Sequence, residues 1–207
     1  MASLWDEKMS EERIEQWLYG VQSTTGLTRR WLLEQAANWK AGTTVLDVGC
    51  GGGVTAYQLN HEGLLSKLRY TGFDGSKNML AVAKRKTPEV EWVHGDIAEM
   101  NLNRKFDKIV LRAVLAHVLE PAPILKAVFK HLEKDGELFI IFWNNPVNGK
   151  SIIATIEEGF YDNAHSIEQL KEIIATAGMK IKSQHVVEEK SARSNIRNIW
   201  VLEHCSQ

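Results

Sequence analysis

The spacing of apolar residues changes character near residue 43. Upstream of that point, apolar side chains recur at the three- and four-residue intervals of an amphipathic helix, at Ile14, Trp17, Leu18 and Val21. Ser10 is a suitable cap for this helix, and a second helix is expected over residues 27–38. We therefore predict that residues 1–40 form a helical N-terminal cap or lid.

Downstream of residue 43, short β-type apolar runs alternate with segments of helical periodicity. The predicted strands are 44–48, 68–73, 90–93, 106–112, 137–143, 179–187 and 196–204. The predicted helices are 54–61, 76–86, 122–132 and 166–177, with Ser76 and Ser166 as caps. Alternation of this kind implies an α/β fold, a doubly wound, mostly parallel seven-stranded sheet with helices on both faces.

Three regions complete this outline. Residues 134–136 form a turn before the strongly apolar strand 137–143. Residues 144–164 look irregular or only partly helical. The final two strands are joined by only a short link, so they should pair antiparallel at the sheet edge. Together these segments predict one compact domain over residues 41–207, whose last strand is antiparallel.

Composition narrows the class of protein. The 207 residues are 44% hydrophobic and 25% charged, which is typical of a soluble globular chain. A net charge of −1 gives no support for a nucleic-acid partner. The start of the chain lacks a signal-peptide pattern and no apolar run is long enough for a membrane span. Cys50 and Cys205 are the only cysteines, so we expect a reduced, cytoplasmic protein. We also expect a monomer or homodimer without a membrane partner.

The run 45–53 carries the strongest chemical signal, because an apolar strand ends at an acidic residue and a glycine-rich turn follows. Its glycines allow a tight turn and a close approach of the backbone to a ligand. Asp47 would repel a phosphate group but would attract an ammonium group. A nicotinamide-binding domain would also require glycine or alanine where Val54 stands. These features favour S-adenosylmethionine (SAM), which has a sulfonium and an amino-acid tail but no phosphate.

Further acidic residues follow the next two strands, Asp74 after the second and Asp96 after the third. With these features in this order, the chain resembles the class I SAM-dependent methyltransferases from about residue 42 to its end. The resemblance implies the family's Rossmann-like fold, SAM as cofactor and S-adenosylhomocysteine (SAH) as product. It also implies that Asp74 accepts hydrogen bonds from both ribose hydroxyls, and that Asp96 and the Ile97 amide bind the adenine ring.

The cofactor site predicted on this basis extends over the ends of four strands. Its residues are Asp47, Gly49, Cys50, Gly51, Gly53, Asp74, Gly75, Ser76, Met79, Asp96, Ile97 and Arg112. For two of these the residues leave alternatives open. Met79 could pack on the adenine or in the core, and the Arg112 guanidinium could bind a carboxylate substrate or a partner helix.

The acceptor side carries fewer signals. His117 after the fourth strand and Tyr19 in the cap are candidate bases, and Trp143 and Tyr161 are candidate substrate contacts, although all four residue types also serve in packing. No Asn-Pro-Pro-Tyr type motif follows the fourth strand, which favours a small-molecule acceptor. No Cys/His metal-ligand spacing occurs, which argues against a metal-dependent catechol-type enzyme. No metal-binding residue is predicted, and magnesium held by carboxylates stays an open alternative. The sequence thus predicts a methyltransferase with an O, N or other nucleophile as acceptor; the alternative is a non-catalytic SAM- or SAH-binding subunit that acts through a partner protein.

Overall fold

The computed structural model describes residues 4–19, 27–143, 155–157, 160–161, 165–188 and 196–205. Its helices are α1 (Leu4–Lys8), α2 (Glu11–Tyr19), α3 (Leu27–Ala37), α4 (Val54–His61), α5 (Lys77–Lys86), α6 (Pro121–Phe129) and α7 (Ile167–Thr176). Its strands are β1 (Thr44–Val48), β2 (Arg69–Asp74), β3 (Glu91–His94), β4 (Phe106–Arg112), β5 (Leu132–Trp143), β6 (Thr155–Glu157), β7 (Phe160–Tyr161), β8 (Met179–Glu188) and β9 (Ile196–His204). Among these described helices, none has the length and apolar composition to cross a membrane.

The first compact unit, Met1–Glu99, contains parallel strands in the order β3-β2-β1. The apolar side chains of β1 are buried, as is usual for a parallel strand covered on both faces. The α2 helix packs on α5, where Ile14 joins Met79 and Val82 in a buried cluster. The N-terminal helices therefore belong to the same packed unit as the glycine-rich turn, while the division into a cap of residues 1–40 and a domain of 41–207 stays a prediction.

The second compact unit, Met100–Gln207, contains β4 parallel to β5, and β9 antiparallel to both β5 and β8. Its core includes the large side chains of Phe139 and Trp200, both almost fully buried. Ser166 caps α7 by accepting a hydrogen bond from the Gln169 amide at 3.1 Å. Gly178, with φ of +74°, follows the end of that helix. Both termini of α7 agree with the sequence prediction.

The seven-stranded sheet has the strand order β3-β2-β1-β4-β5-β9-β8. The pairs β1–β2, β2–β3 and β4–β5 are parallel, and β9 runs antiparallel to both β5 and β8. This confirms the predicted fold class, a mostly parallel sheet flanked by helices with an antiparallel last strand. The closing pair also lies at the edge, as its short link predicted.

The predicted helix over residues 122–132 was too long at its C-terminal end. The helix α6 ends at Phe129, and Leu132 begins β5 by pairing with Phe106. His131 lies between them, buried, with Nδ1 2.9 Å from the Ala127 carbonyl oxygen. Its Nε2 accepts a hydrogen bond from the Leu102 amide at 3.0 Å. The apolar spacing of α6 would by itself extend the helix to Leu132, but Leu132 pairs with β4 and belongs to the sheet.

The predicted turn at 134–136 is a bulge inside β5. Pairing passes from Phe106 with Leu132 directly to Lys108 with Glu137, so extra residues of β5 loop out opposite one residue of β4. A Cβ atom on Gly136 would lie 3.1 Å from the Asp107 carbonyl oxygen, so the bulge is closely packed.

The prediction of irregular or partly helical structure for residues 144–164 is wrong for the described part of that segment. Strands β6 and β7 pair there in an antiparallel two-stranded sheet, with Thr155 opposite Tyr161. The remaining residues of this prediction, and Val21 of the first helical pattern, lie outside the described residues. Strands of two and three residues are too short to give a periodic signal in sequence.

A charge cluster spans one face of the second unit. The Glu137 carboxylate accepts hydrogen bonds from Lys108 Nζ at 2.5 Å and Lys182 Nζ at 2.6 Å. Lys182 Nζ also lies 3.5 Å from the Glu203 carboxylate. Burial raises the pKa of Glu137, but the two lysine hydrogen bonds outweigh it, so the pKa lies below its usual value.

Replacing Glu137 with glutamine is expected to lower the free energy of unfolding at neutral pH by about 1–2 kcal/mol, because two charge-assisted hydrogen bonds are weakened. A lowered folded pKa means that the contribution is fully present above the unfolded pKa of about 4.3 and is lost as pH falls through the folded pKa. Urea unfolding of both proteins from pH 7 downward measures this, and the gap should close in acid. Glu203→Gln is the matched control, and an equal loss there would contradict the special role of Glu137.

Candidate functional site

The glycine-rich turn after β1 is tied to the end of β2. The Gly49 and Cys50 amides both donate to the Phe73 carbonyl oxygen, at 2.8 and 3.1 Å. Gly53 then caps the start of α4 with φ of +79° and ψ of +23°, a left-handed conformation that favours glycine. The turn therefore presents its backbone at the carboxyl end of two parallel strands, where ligands bind in open α/β sheets.

The glycines of this turn differ in what surrounds them. A Cβ on Gly51 would make an ordinary van der Waals contact with Met79 Sδ, at 3.8 Å, so this position is not closely packed. A Cβ on Gly53 would lie 2.8 Å from both Ala83 Cβ and the Trp92 ring. Gly51 thus has the uncrowded surroundings expected of a ligand-facing glycine. At Gly53, close packing against α5 and Trp92 is enough to explain why glycine is required.

Asp74 lies across the opening of this turn. Its Oδ2 accepts a hydrogen bond from the Gly51 amide at 2.7 Å, and its Oδ1 accepts one from the Ser76 amide at 2.9 Å. Burial raises the pKa of the Asp74 carboxyl, and these two amide hydrogen bonds oppose that rise. The carboxylate is held in one orientation, and each oxygen keeps a lone pair free for a further donor.

Asp47 is more deeply placed than the sequence suggested. Its side chain is 2% exposed, and the Tyr70 hydroxyl donates to its Oδ2 at 2.6 Å. Sequence reasoning missed Tyr70, although strand register could have found it. Asp47 pairs with Gly72, and Tyr70 projects from the same face of β2 two residues earlier. Any attraction of Asp47 for a cationic ligand group therefore acts beside a buried tyrosine.

Two other predicted cofactor residues of this turn region lie in the interior. The Cys50 side chain is buried, and burial raises the pKa of its thiol well above the usual value. Met79 is 4% exposed and packs with Ile14 and Val82, which agrees with the core alternative for this residue. Ser76 caps α5 as predicted, since its Oγ accepts from the Met79 amide at 3.1 Å.

The loop after β3 approaches the end of β2. The Gly95 amide donates to the Asp74 carbonyl oxygen at 3.1 Å, and a Cβ on Gly75 would lie 3.6 Å from the Gly95 carbonyl oxygen. Asp96 is exposed, with Oδ1 accepting from the Ala98 amide at 2.8 Å, and Ile97 begins a short 3-10 turn. The first unit thus brings the predicted residues at the ends of β1, β2 and β3 together.

Tyr19 contacts the glycine-rich turn. Its hydroxyl donates to the Gly52 carbonyl oxygen at 2.6 Å, and its ring meets the Tyr57 ring edge-on with centroids 5.1 Å apart. Burial raises the pKa of the Tyr19 phenol above its ordinary value. A phenol that donates to a carbonyl and resists ionisation is a poor proton acceptor at neutral pH.

The second unit holds the remaining predicted residues. Arg112 ends β4, and its Nε is buried without a hydrogen-bond partner among the described residues. Ala113 follows with φ of +62°, a strained conformation for a residue with a side chain. His117 is the last residue of the 3-10 turn Leu115–His117. The buried His165 holds this turn in place, since its Nε2 lies 2.9 Å from the Leu115 carbonyl oxygen.

Trp143 and Tyr161 are placed only by their backbone. Trp143 pairs with Arg197 at the end of β5, and Tyr161 pairs with Thr155 in the small sheet. Their substrate roles stay predictions. Within the described residues, no group of three or more His, Cys, Asp or Glu side chains could hold a metal ion.

Comparison with known families gives one match that covers most of the chain. The family model described as a methyltransferase domain matches residues 39–193. The ubiquinone biosynthesis O-methyltransferase of Salmonella paratyphi A is 29% identical over 161 residues, 70% of this chain and 64% of that protein. The demethylmenaquinone methyltransferase of Paenarthrobacter aurescens is 29% identical over 125 residues, 59% of this chain and 48% of that protein. The chain therefore spans about half to two thirds of the length of these relatives.

Solved structures show the same fold. A glycopeptide N-methyltransferase, MtfA, complexed with SAM has a TM-score of 0.70 at 13% identity, over 86% of this chain and 93% of that chain. A TehB-like SAM-dependent methyltransferase from Corynebacterium glutamicum has a TM-score of 0.67 at 20% identity, over 94% of this chain and 97% of that chain. At these identities the likeness concerns the fold alone, and it confirms the predicted Rossmann-like architecture.

Proposed function

This chain belongs to the class I SAM-dependent methyltransferases, and from that premise we propose that it transfers the methyl group of SAM to an O, N or other nucleophile of a small-molecule acceptor. SAM supplies an electrophilic methyl group on a sulfonium, and SAH is the product. The family match over residues 39–193 supports the assignment as an enzyme. The non-catalytic alternative is not favoured, because the relatives named above are methyltransferases.

The observation that carries the proposal is the carboxylate of Asp74, fixed between the Gly51 and Ser76 amides. A carboxylate has about four lone-pair positions, so two amide hydrogen bonds leave capacity for two ribose hydroxyls. Gly51 beside it is not closely packed, which allows a ligand to approach its backbone. The Asp74 carboxylate and the backbone of Gly51 therefore fit a nucleoside whose two ribose hydroxyls are free to donate.

The remaining predicted cofactor residues divide by their surroundings. Asp96 and Ile97 lie on an exposed loop, where a carboxylate and a backbone amide are accessible to an adenine ring. Gly49, Gly75 and Ser76 would contribute backbone to the same site. The other predicted residues would support the turn without touching the ligand; these are Asp47, Cys50, Gly53 and Met79. For Arg112, in the second unit, contact with the cofactor, a carboxylate substrate or a partner helix all stay predictions.

The names of the relatives indicate which class of acceptor molecule should be tested first. One is named an O-methyltransferase of ubiquinone biosynthesis and the other a demethylmenaquinone methyltransferase. A quinone-like aromatic acceptor, methylated at a ring hydroxyl, is therefore the first candidate. Alignment of the nucleophile with the methyl group can supply much of the rate enhancement. A base is needed only where the nucleophile must lose a proton, and His117 is a better candidate than Tyr19, whose hydroxyl already donates to Gly52. Trp143 and Tyr161 stay candidates for contact with the acceptor.

Calorimetric titration of the full chain with SAM, SAH and NAD tests the cofactor assignment. We expect micromolar binding of SAM and SAH, corresponding to about −8 kcal/mol, and no binding of NAD. Incubation with SAM and a panel of phenolic, amine and thiol acceptors should then release SAH with at least one of them. Binding without SAH release on any acceptor would support the non-catalytic alternative, and tighter binding of NAD would refute the cofactor assignment.

A further inference from the structure

The first turn of α5 is capped by a carboxylate from far away in the sequence. Asp6, in α1, accepts a hydrogen bond from Ser76 Oγ at 2.6 Å and from the Asn78 amide at 2.9 Å through Oδ1. Its Oδ2 accepts from the Lys77 amide at 3.2 Å. Amides in the first turn of a helix have no partner inside the helix, and a negative charge there also interacts favourably with the helix dipole. Asp6 therefore fixes the position of this turn.

The contact continues from Asp6 to the proposed ribose acceptor. Ser76 is completely buried, and its hydroxyl is fully engaged, donating to Asp6 and accepting from the Met79 amide. The backbone amide of the same residue donates to Asp74 Oδ1. A shift of the Ser76 backbone would rotate the Asp74 carboxylate about its other fixed point, the Gly51 amide.

Resting on the proposed function, we infer that Asp6 is a positioning residue for the cofactor: through Ser76 it orients the Asp74 carboxylate toward the ribose hydroxyls. Asp6 does not touch the cofactor in this assignment. Its effect is geometric, because misplacement of a binding group by a fraction of an ångström weakens hydrogen bonds to the ligand.

The negative charge of Asp6, taken alone, would weaken rather than strengthen Asp74 as a hydrogen-bond acceptor. After burial and the two amide hydrogen bonds, the nearby Asp6 carboxylate is a further influence on Asp74, and it raises the Asp74 pKa. Removing Asp6 would therefore leave Asp74 more fully ionised and, by charge, a better acceptor. Weaker binding in an Asp6 variant would thus report lost geometry rather than lost charge.

Other contacts keep the N-terminal helices in place without Asp6. Arg85 forms ion pairs with Glu11 and Glu15 of α2, and Lys86 pairs with Glu15 as well. Asn78 Nδ2 also donates to the Met9 carbonyl oxygen at 2.9 Å. The loss of one capping carboxylate should therefore leave these helices docked, so that its effect on the cofactor can be measured in a folded protein.

The test compares SAH with its 2′,3′-dideoxy analogue, by calorimetry on the full chain. Asp6→Ala is expected to weaken SAH binding about five- to tenfold, the effect of one impaired hydrogen bond, while leaving binding of the dideoxy analogue unchanged. Asp6→Asn keeps an oxygen that can accept from Ser76 and should restore part of the affinity. It also serves as the second variant if Asp6→Ala does not fold. Glu7→Ala, an exposed carboxylate on the same helix, is the matched control and should bind both ligands like the parent chain.

Each outcome decides the inference. A loss confined to SAH supports it. An equal loss of both ligands would assign Asp6 a merely structural role and overturn the inference, as would unchanged SAH binding in Asp6→Ala and Asp6→Asn. Failure of the parent chain to bind SAH would refute the proposed function itself, which distinguishes that failure from failure of the role of Asp6.

Discussion

Replacing Asp74 with alanine is expected to weaken SAH binding by about 100-fold or more, because two charge-assisted hydrogen bonds to the ribose hydroxyls, worth roughly 1.5–3 kcal/mol each, are lost together. The substitution also removes the acceptor that fixes the Gly51 and Ser76 amides, so the turn loses its support beside the ligand. Calorimetric titration with SAH measures the change directly, and methyl transfer should fall in parallel.

Asp96→Ala is the matched control for this prediction. Asp96 lies at the end of the neighbouring strand, is exposed, and would provide a single hydrogen bond to the adenine amino group. Its loss should cost only about five- to tenfold in affinity. Equal effects of the two alanine substitutions would contradict the assignment of Asp74 to the ribose.

Stability measurements separate binding from folding in the Asp74 variants. Because the folded pKa of Asp74 is raised, its ionised form opposes folding at neutral pH, and stability from this group falls as pH rises through its pKa. Asp74→Asn removes that partly buried charge and keeps one oxygen acceptor. Its unfolding temperature should therefore stay close to that of the parent chain while its SAH affinity falls, a combination that indicates a functional rather than a structural residue.

The sequence predicted those elements whose signals were local and strong. Strand β1 is a continuous apolar run that a glycine-rich turn ends, and Ser76 offers a side-chain cap where α5 begins. The same signals failed at the end of α6. Leu132 continues the apolar spacing of that helix, but its backbone pairs with Phe106 in the sheet. A tertiary pairing of this kind is not encoded in the residues beside it.

In the candidate site too, some features could be predicted from sequence and others depend on tertiary contacts. The acidic residues at strand ends and the glycine-rich turn after β1 follow from the order of motifs along the chain. The Tyr70 contact with Asp47 could be derived once the register of β1 and β2 is known. Asp6 could not be predicted, since its partners lie about 70 residues away and a carboxylate in a short helix has no distinctive pattern. Nor can spacing distinguish Gly51 from Gly53, because the difference depends on the positions of Ala83 and Trp92.

Replacing Gly53 with alanine is expected to lower the free energy of unfolding by about 3 kcal/mol, as the sum of a left-handed conformation, roughly 1–2 kcal/mol, and overpacking, roughly 1–3 kcal/mol. The new Cβ would meet Ala83 Cβ and the Trp92 ring at 2.8 Å and Ala83 Cα at 3.1 Å. Neither neighbour can move easily. Ala83 is buried in α5, and the Trp92 indole is fixed by a hydrogen bond from Nε1 to the Thr87 carbonyl oxygen at 3.0 Å. Urea unfolding monitored by circular dichroism measures the loss.

Gly63→Ala is the control that isolates the conformational cost. Gly63 has a similar φ, +68° against +79° at Gly53, but a Cβ there would meet nothing within 4 Å. Only the left-handed backbone is penalised, so the expected loss is about 1 kcal/mol. The excess at Gly53 then measures the collision with α5 and Trp92, and equal losses at the two positions would refute the packing explanation.

Trp92→Leu should rescue part of the Gly53→Ala loss, because a smaller side chain removes one of the two contacts while Ala83 keeps the other. Residues in direct contact show coupling in double-mutant cycles of about 0.5–3 kcal/mol, so a rescue of this size is measurable. A glycine constrained by helix packing must respond in this way, whereas one required only for approach to a ligand would not. Additive losses in Gly53→Ala and Trp92→Leu would therefore return Gly53 to the set of ligand-facing glycines.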